Sequence, residues 1–251
     1  MRLEFLNAGF NSAAYNMALD DVLIKRVAAT KIPVLRFYGF KPTACTIGYF
    51  QSLRDEINLQ KAAEMQIDCV RRHTGGGAVM HDQNQFTYSL IVPEEMVSKN
   101  ILESYQQLAQ GLIDGCQALG LNVEFAPLND IVLDARKISG NAQTRRQNVV
   151  LQHGTLLLDV DVDTMFMLLK VPDEKMKDKL IKSVKKRVIG INSELETAMD
   201  FETAAEHFLE FFLKTFQISD LSYLNLDSAL NTQIQECMQS KYADDAWNLQ
   251  L

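Results

Sequence analysis

The sequence predicts an α+β protein, a set of mixed or antiparallel sheets flanked by helices. Three observations lead there. Short β-branched and aromatic runs alternate with helical stretches, but without the regular strand–helix–strand rhythm of a doubly wound sheet. The middle of the chain holds several strand-like pieces in succession. The last third carries mostly helical periodicity.

Taken in order, "RLEFLN" reads as a first strand. Asn11 or Ser12 then caps a helix with Tyr15, Leu19, Val22, Leu23 and Val27 at helical spacing. "PVLRFYGF" (33–40) and "TACTIGYF" (43–50), separated by Lys41-Pro42, suggest two paired strands. A helix over about 58–65 leads into the strand "IDCVRR". "NQFTYSLIVP" alternates Phe86, Tyr88, Leu90 and Val92 against Thr87, Ser89 and Ile91, a strand with one buried and one partly buried face. Residues 101–119 form an amphipathic helix that Gly120 ends. Strands are expected near 121–125, 131–134, 136–143 and 148–158, and helices near 161–169, 173–186, 201–216 and 227–241. "NSELETAMD" (192–200) is the best linker candidate. The helices beyond it are too small for an independent enzyme domain, so the expectation is one catalytic domain over 1–251 with a helical C-terminal portion from about 200.

Composition excludes several classes. The chain has 251 residues, 47% hydrophobic and 23% charged, enough to bury a core. Its net charge of −7 argues against nonspecific nucleic-acid binding. No apolar run is long enough for a membrane span and no signal-peptide pattern opens the chain, so a cytoplasmic protein is expected. Four scattered cysteines and four histidines offer no metal-ligand spacing, so no protein-held metal is expected.

"RRHTGGGAVMHD" (71–82) places three glycines between two arginines and a His-Asp pair. It is not a P-loop, because Gly-Lys occurs nowhere, and Met80 stands where a dinucleotide fingerprint needs a third glycine. Taken alone, Gly75-Gly76-Gly77 reads equally as a hairpin loop. After a strand, however, bare main chain lets N–H groups converge on an anion or a flat ligand pack closely. Arginine forks suit carboxylate and phosphate oxygens. If the strand alternates, one of Arg71 and Arg72 faces the ligand and the other makes structural ion pairs. Ala78, Val79 and Met80 continue as an apolar wall, and His81 and Asp82 could orient one another. A second segment, "LNDIVLDARKISGNAQTRRQNVVLQHGTLLLDVD" (128–161), sets Lys137 before the small residues Ser139, Gly140 and Asn141, where close ligand approach is again possible.

Together "RRHTGGGAVMHD", "ND…RKISGNAQ" and "LQHGTLLLD" resemble the lipoate–protein ligase branch of the biotin/lipoate ligase family. The likeness continues through "VLRFYGF", "TIGYFQ", "KVPDEKMKDKL" and "KSVKKRV" to "KYADDAWNL", and so spans most of the chain. It implies the class II synthetase-like catalytic fold of these ligases. It also implies activation of lipoate by ATP with Mg²⁺ to lipoyl-AMP, then transfer to a lysine of an apo lipoyl domain. Acceptors would be of the 2-oxoacid dehydrogenase E2 or glycine cleavage H protein type. By the family pattern Lys137 is the catalytic ammonium. Arg72, with Gly77, Ala78, Val79, Met80 and His81, matches the nucleotide-contact segment, while Gly75 and Gly76 face the acyl end. Asn129 and Asp130 match a partner for adenine or Mg²⁺, and His153 supports the site. The strand at 34–40, "TIGYF" and Val79 would line an apolar tunnel.

The details at "KVPDEK" and "KY…WN" are most similar to bipartite ligases, so a small accessory subunit is a possible partner; the separate accessory domain of longer ligases is absent from this sequence. The basic stretch "KMKDKLIKSVKKR" (175–187) is either a solvated helix face or a dock for an acidic acceptor. Two other functions stay open. An octanoyltransferase drawing on acyl carrier protein is one, although a thioester route calls for a cysteine and none lies between Cys116 and Cys237. A non-catalytic lipoate-binding protein is the other.

Overall fold

The computed structural model describes residues 1–170 and 177–251, with Lys177 and Asp178 described in backbone only. The strands are β1 (Arg2–Asn11), β2 (Val34–Phe40), β3 (Ala44–Ile47), β4 (Asp68–Arg71), β5 (Val79–His81), β6 (Gln85–Pro93), β7 (Val123–Ala126), β8 (Asp130–Leu133), β9 (Arg136–Arg146), β10 (Val149–Leu157) and β11 (Asp220–Tyr223). The helices are α1 (Ala13–Thr30), α2 (Leu53–Glu56), α3 (Leu59–Glu64), α4 (Ile101–Ala118), α5 (Val162–Leu168), α6 (Lys177–Arg187), α7 (Phe201–Thr215), α8 (Ser228–Cys237) and α9 (Asp245–Asn248). The fold class is the expected α+β. An eight-stranded sheet runs β11-β1-β2-β6-β10-β9-β8-β7, parallel across β11, β1 and β2 and antiparallel beyond, and a three-stranded sheet runs β4-β3-β5.

Period-two alternation divides the large sheet into an apolar face and a mixed one. Leu35, Phe37, Phe86, Tyr88, Leu90 and Val92 pack under α4 and α7 in the largest apolar cluster. The other face carries Arg36, Tyr38, Thr87, Ser89 and His153, all buried. Helix α1 covers part of that face and is itself packed by α8, which is why residues on every side of α1 are buried. The small sheet forms a third cluster with α2, α3 and α5.

Two expectations change. β2 and β3 do not pair: both edges of β2 are taken by β1 and β6, and β3 lies at the centre of the small sheet. Alternation reports which face is buried but not which strand supplies the partner. The linker candidate 192–200 is also pinned rather than loose. Asn192 accepts from the Met199 N–H at 2.8 Å and donates to the Met199 carbonyl at 3.0 Å, and Met199 is buried. β11, which has no strong alternation, extends the sheet edge beside β1. The beginning of the helix expected at 173–186 lies outside the described residues.

Candidate active site

The cleft opens where the mixed face of the large sheet meets the small sheet. Tyr38 and Phe40 of β2, Gln85 and Thr87 of β6, and His153 to Thr155 of β10 line it from one side, with Lys137, Gly140, Asn141 and Ala142 of β9. Thr46, the main chain at Gly76 and Gly77, and Ala78 to His81 line it from the small sheet. Met17, Leu157, Val160, Met165 and Val188 make much of the wall apolar, around a cavity of about 300 Å³. Such a slot suits an apolar chain with a polar end.

Lys137 sits at the start of β9, where the hairpin from β8 turns at Asp134 and Ala135, both with positive φ. Its ammonium is part-exposed and pairs with Asp130 Oδ1 at 2.8 Å. The chain after α6 runs alongside, since Ile189 N–H donates to the Lys137 carbonyl at 3.0 Å. Asn129 and Asn141 hold each other through side-chain amide to carbonyl bonds in both directions. Asn129 therefore lines the cleft as a fixed amide, while Asp130 faces the ammonium rather than the cavity.

The glycine run has one glycine that the protein itself requires. Gly76 has φ +98°, and a Cβ there would lie 2.9 Å from Arg72 Nη2. At Gly75 and Gly77 an added Cβ would meet nothing within 4 Å, so packing within the protein does not require glycine at either position. Gly75 does not line the cavity. Its carbonyl, with that of Gly77, accepts from Arg72 Nη2 at 2.9 and 2.7 Å, and Nη1 donates to Thr46 Oγ1 at 3.1 Å. Burial pulls Arg72 down to about 10. Arg72 thus braces the loop from inside, spending three of its five donors on protein atoms.

Arg71 is wholly buried and makes no ion pair among the described residues. It donates to the carbonyls of Tyr49, Gln51, Trp247 and Asn248. The expected ion pairs are replaced by a main-chain cage built by the C-terminal segment. His81 and Asp82 do not orient one another either. His81 bonds Thr46 at 2.9 Å and Gln85 at 3.1 Å and stacks on Phe40, while Asp82 accepts from Asn84 N–H. Burial, reinforced by the Arg72 charge, drives His81 down to about 3, so the ring is neutral near pH 7. Of "TIGYF" only Thr46 reaches the cavity, and Phe50 is 82% exposed.

Sequence reasoning missed Asp20, Arg36 and Thr74. Arg36 Nη1 and Asp20 Oδ1 form an ion pair at 2.7 Å with both side chains fully buried, and His153 Nδ1 lies 3.2 Å from Asp20 Oδ2. Burial opposes the charge on Asp20, but Arg36 and His153 outweigh it and hold the carboxyl below its ordinary range. The available signal was an arginine inside the apolar run "VLRFYGF". Thr87 Oγ1 is buried at the cleft with no hydrogen-bond partner among the described residues.

Among the described residues no cluster of three His, Cys, Asp or Glu could hold a metal. Of the carboxylates at the cleft, Asp130 is already paired with Lys137 and Asp161 caps α5 through Thr164, so a divalent cation here would have to arrive with phosphate oxygens. None of the cavity-lining residues is a cysteine: Cys45 and Cys116 are buried, and Cys69 and Cys237 are half-buried elsewhere. No described helix is long and apolar enough to cross a membrane.

An apolar slot ending at a lysine and a bare main-chain loop defines a site for an acyl chain with a carbonyl or anionic end. The chain belongs to the lipoyl protein ligase A/B catalytic domain family, whose profile matches residues 12–213. It is 35% identical to "Octanoyltransferase LipM" of Geobacillus kaustophilus, covering 98% of this chain and 97% of that one. The same figures hold for the Bacillus subtilis protein of that name. Among solved structures it is similar to a bi-partite lipoate protein ligase of Thermoplasma acidophilum, at 26% identity and TM-score 0.89 over 99% of this chain and 96% of that one. A lipoate-protein ligase A bound with ATP shares the fold at 24% identity and TM-score 0.83, over 99% of each chain. The protein is therefore an enzyme of the lipoate ligase and transferase family.

Proposed function

We propose that this chain transfers a medium-length acyl group, octanoyl or lipoyl, to a lysine of an apo lipoyl domain of the E2 or H-protein type. The observation behind this is that Lys137 and the Gly76–Gly77 main chain line one apolar cleft. The acceptor amine attacks the acyl carbon, the C–N bond forms, and the bond to the donor's leaving group breaks. The ammonium at 137 offsets the charge that develops on the acyl oxygen and leaving group. It also favours a neutral incoming amine, because like charges repel at this range.

Octanoyl transfer from acyl carrier protein leads among the possible donors, because the curated relatives at 35% identity carry the octanoyltransferase name. In that reaction the amine displaces the carrier thiolate, which takes up the amine's proton. One observation favours the ATP-dependent ligase as a second reading: no cysteine lines the cavity to accept the acyl group as a protein thioester. ATP would then supply AMP as leaving group, Lys137 would meet the carboxylate and α-phosphate oxygens, and a small accessory subunit could take part. The exposed cations Lys182 and Lys186 of α6 would face an acidic acceptor.

A single assay separates these. The protein is incubated with apo lipoyl domain and either octanoyl-acyl carrier protein without ATP, or free octanoate or lipoate with ATP and Mg²⁺. Acyl addition, read as a mass increase of the acceptor, is expected with the carrier thioester. Addition only with free acid and ATP supports the ligase, and no addition under any condition overturns the proposal.

A further inference from the structure

Thr74, the residue immediately before the three glycines, is fully buried and does not line the cavity. Its hydroxyl lies 2.8 Å from His153 Nε2, and its carbonyl accepts the Tyr49 N–H at 2.9 Å. His153 does line the cavity, and its other nitrogen, Nδ1, lies 3.2 Å from Asp20 Oδ2. Asp20 in turn has no freedom to move. Arg36 Nη1 donates to it at 2.7 Å, and Ser89 Oγ contacts both its oxygens at 2.9 Å. Four elements of the fold, β2, α1, β6 and β10, thus converge through one carboxylate and one imidazole on a single threonine of the loop.

The chemistry of the groups sets the direction of each bond. An ionised carboxylate can only accept, so His153 Nδ1 carries a proton. When that is the ring's one proton, Nε2 is an acceptor and the Thr74 hydroxyl is its donor. Fixed at side chain and carbonyl, Thr74 determines where the chain starts toward Gly76, whose φ of +98° turns the main chain into the cleft. Arg72 holds the following carbonyls but cannot set where the loop begins.

We propose that Asp20, His153 and Thr74 form a buried positioning relay that sets the trajectory of the glycine loop relative to Lys137. Thr74 and Asp20 touch no substrate and act through the loop and His153. The kinetic part of the test rests on the acyl-transfer reading above, and the spectroscopic part does not.

Nitrogen-15 NMR of the histidine rings in the whole protein reads the tautomer directly. His153 is expected to show a protonated Nδ1 and a lone-pair Nε2 accepting a hydrogen bond. A ring bare at Nδ1 overturns the relay. In the transfer assay, Thr74→Val keeps the shape but removes the donor, and kcat is expected to fall by about tenfold or more with the acceptor KM unchanged. Thr74→Ser restores the hydroxyl and is expected to recover kcat to within about threefold of the native enzyme. A Thr74→Val enzyme with native kcat, or a Thr74→Ser enzyme as impaired as Thr74→Val, overturns the proposal. A native protein that transfers no acyl group defeats the functional reading, while the NMR pattern still decides the relay.

Discussion

Asn248 clamps Arg71 at two points: its Oδ1 accepts the Arg71 main-chain N–H at 2.9 Å, and its carbonyl accepts Nη2 at 3.0 Å. Trp247 completes the cage by donating Nε1–H to the Arg71 carbonyl at 2.8 Å. Tyr242 adds a 2.6 Å contact to His73. The last residues of the chain thus hold the strand that delivers the glycine loop. Asn248→Ala is expected to lower stability by about 1–3 kcal/mol, since it strands buried partners. It should lower transfer activity as well. Denaturant titration alongside the assay measures both, and native values in both would remove the clamp from the account.

Lys137→Ala is expected to reduce acyl transfer by about 100-fold or more, the scale seen when a charge-stabilising donor is lost. Its stability cost should be small, because the 2.8 Å pair with Asp130 is part-exposed. Steady-state kinetics and a melting curve on the same variant check this. Near-native turnover would take Lys137 out of the chemistry.

Gly76 and Gly48 depend on each other. The conformation at Gly76 is one that side-chain-bearing residues rarely adopt, and a Cβ at Gly48 would run into the Gly76 carbonyl. Gly48→Ala should therefore shift the glycine loop and lower activity, although residue 48 does not line the cavity. A larger residue such as valine at 76 would strain the backbone by about 1 kcal/mol or more, so that change would affect stability as well as binding. Kinetics with a thermal melt for each variant test this pair.

Two buried histidines give the fold an acid limit. Burial, opposed by Asp21 and Asp20, holds His73 at about 4, and His81 lies at about 3, against 6.5 for the free side chain. Below about 6.5 the unfolded chain binds protons that these folded rings do not, so stability falls as pH drops toward 4. Above 6.5 neither ring contributes a slope. Denaturant midpoints measured from pH 8 to pH 4 should show that decline, and His81→Gln should make it shallower.

Asp20→Ala leaves Arg36 charged and unpaired with no access to water. Breaking a buried pair from one side costs about 3–5 kcal/mol. A denaturant midpoint unchanged by Asp20→Ala would show that Arg36 finds another partner.

Much of this was legible from local pattern. The alternation in "NQFTYSLIVP" sorts its residues onto two faces, although the face expected to be partly buried, with Thr87, Ser89 and Ile91, is fully buried once α1 packs on it. The cap at Ser12, which accepts the Tyr15 N–H, starts α1 where the residues say it should. The glycine run and Lys137 stood out because unusual backbone freedom and a lysine beside small residues are visible in one dimension. Partner choice was not legible. β3 leaves β2 for another sheet, Arg71 is caged by Trp247 and Asn248, and Asp20 finds Arg36 and His153, because such contacts join residues that no local period connects.

The amino-acid sequence alone determined the α+β class, most strand and helix positions, the family, and the two segments that meet at the cleft. These follow from short-range sterics, from hydrophobic period and from motif. Only the tertiary structure decided what each residue contacts there: Arg72 braces the loop, Gly75 stays off the cavity, and Thr74 is held at its hydroxyl and its carbonyl. Side-chain role depends on burial and on long-range hydrogen bonds, and both exist only once the sheets have packed.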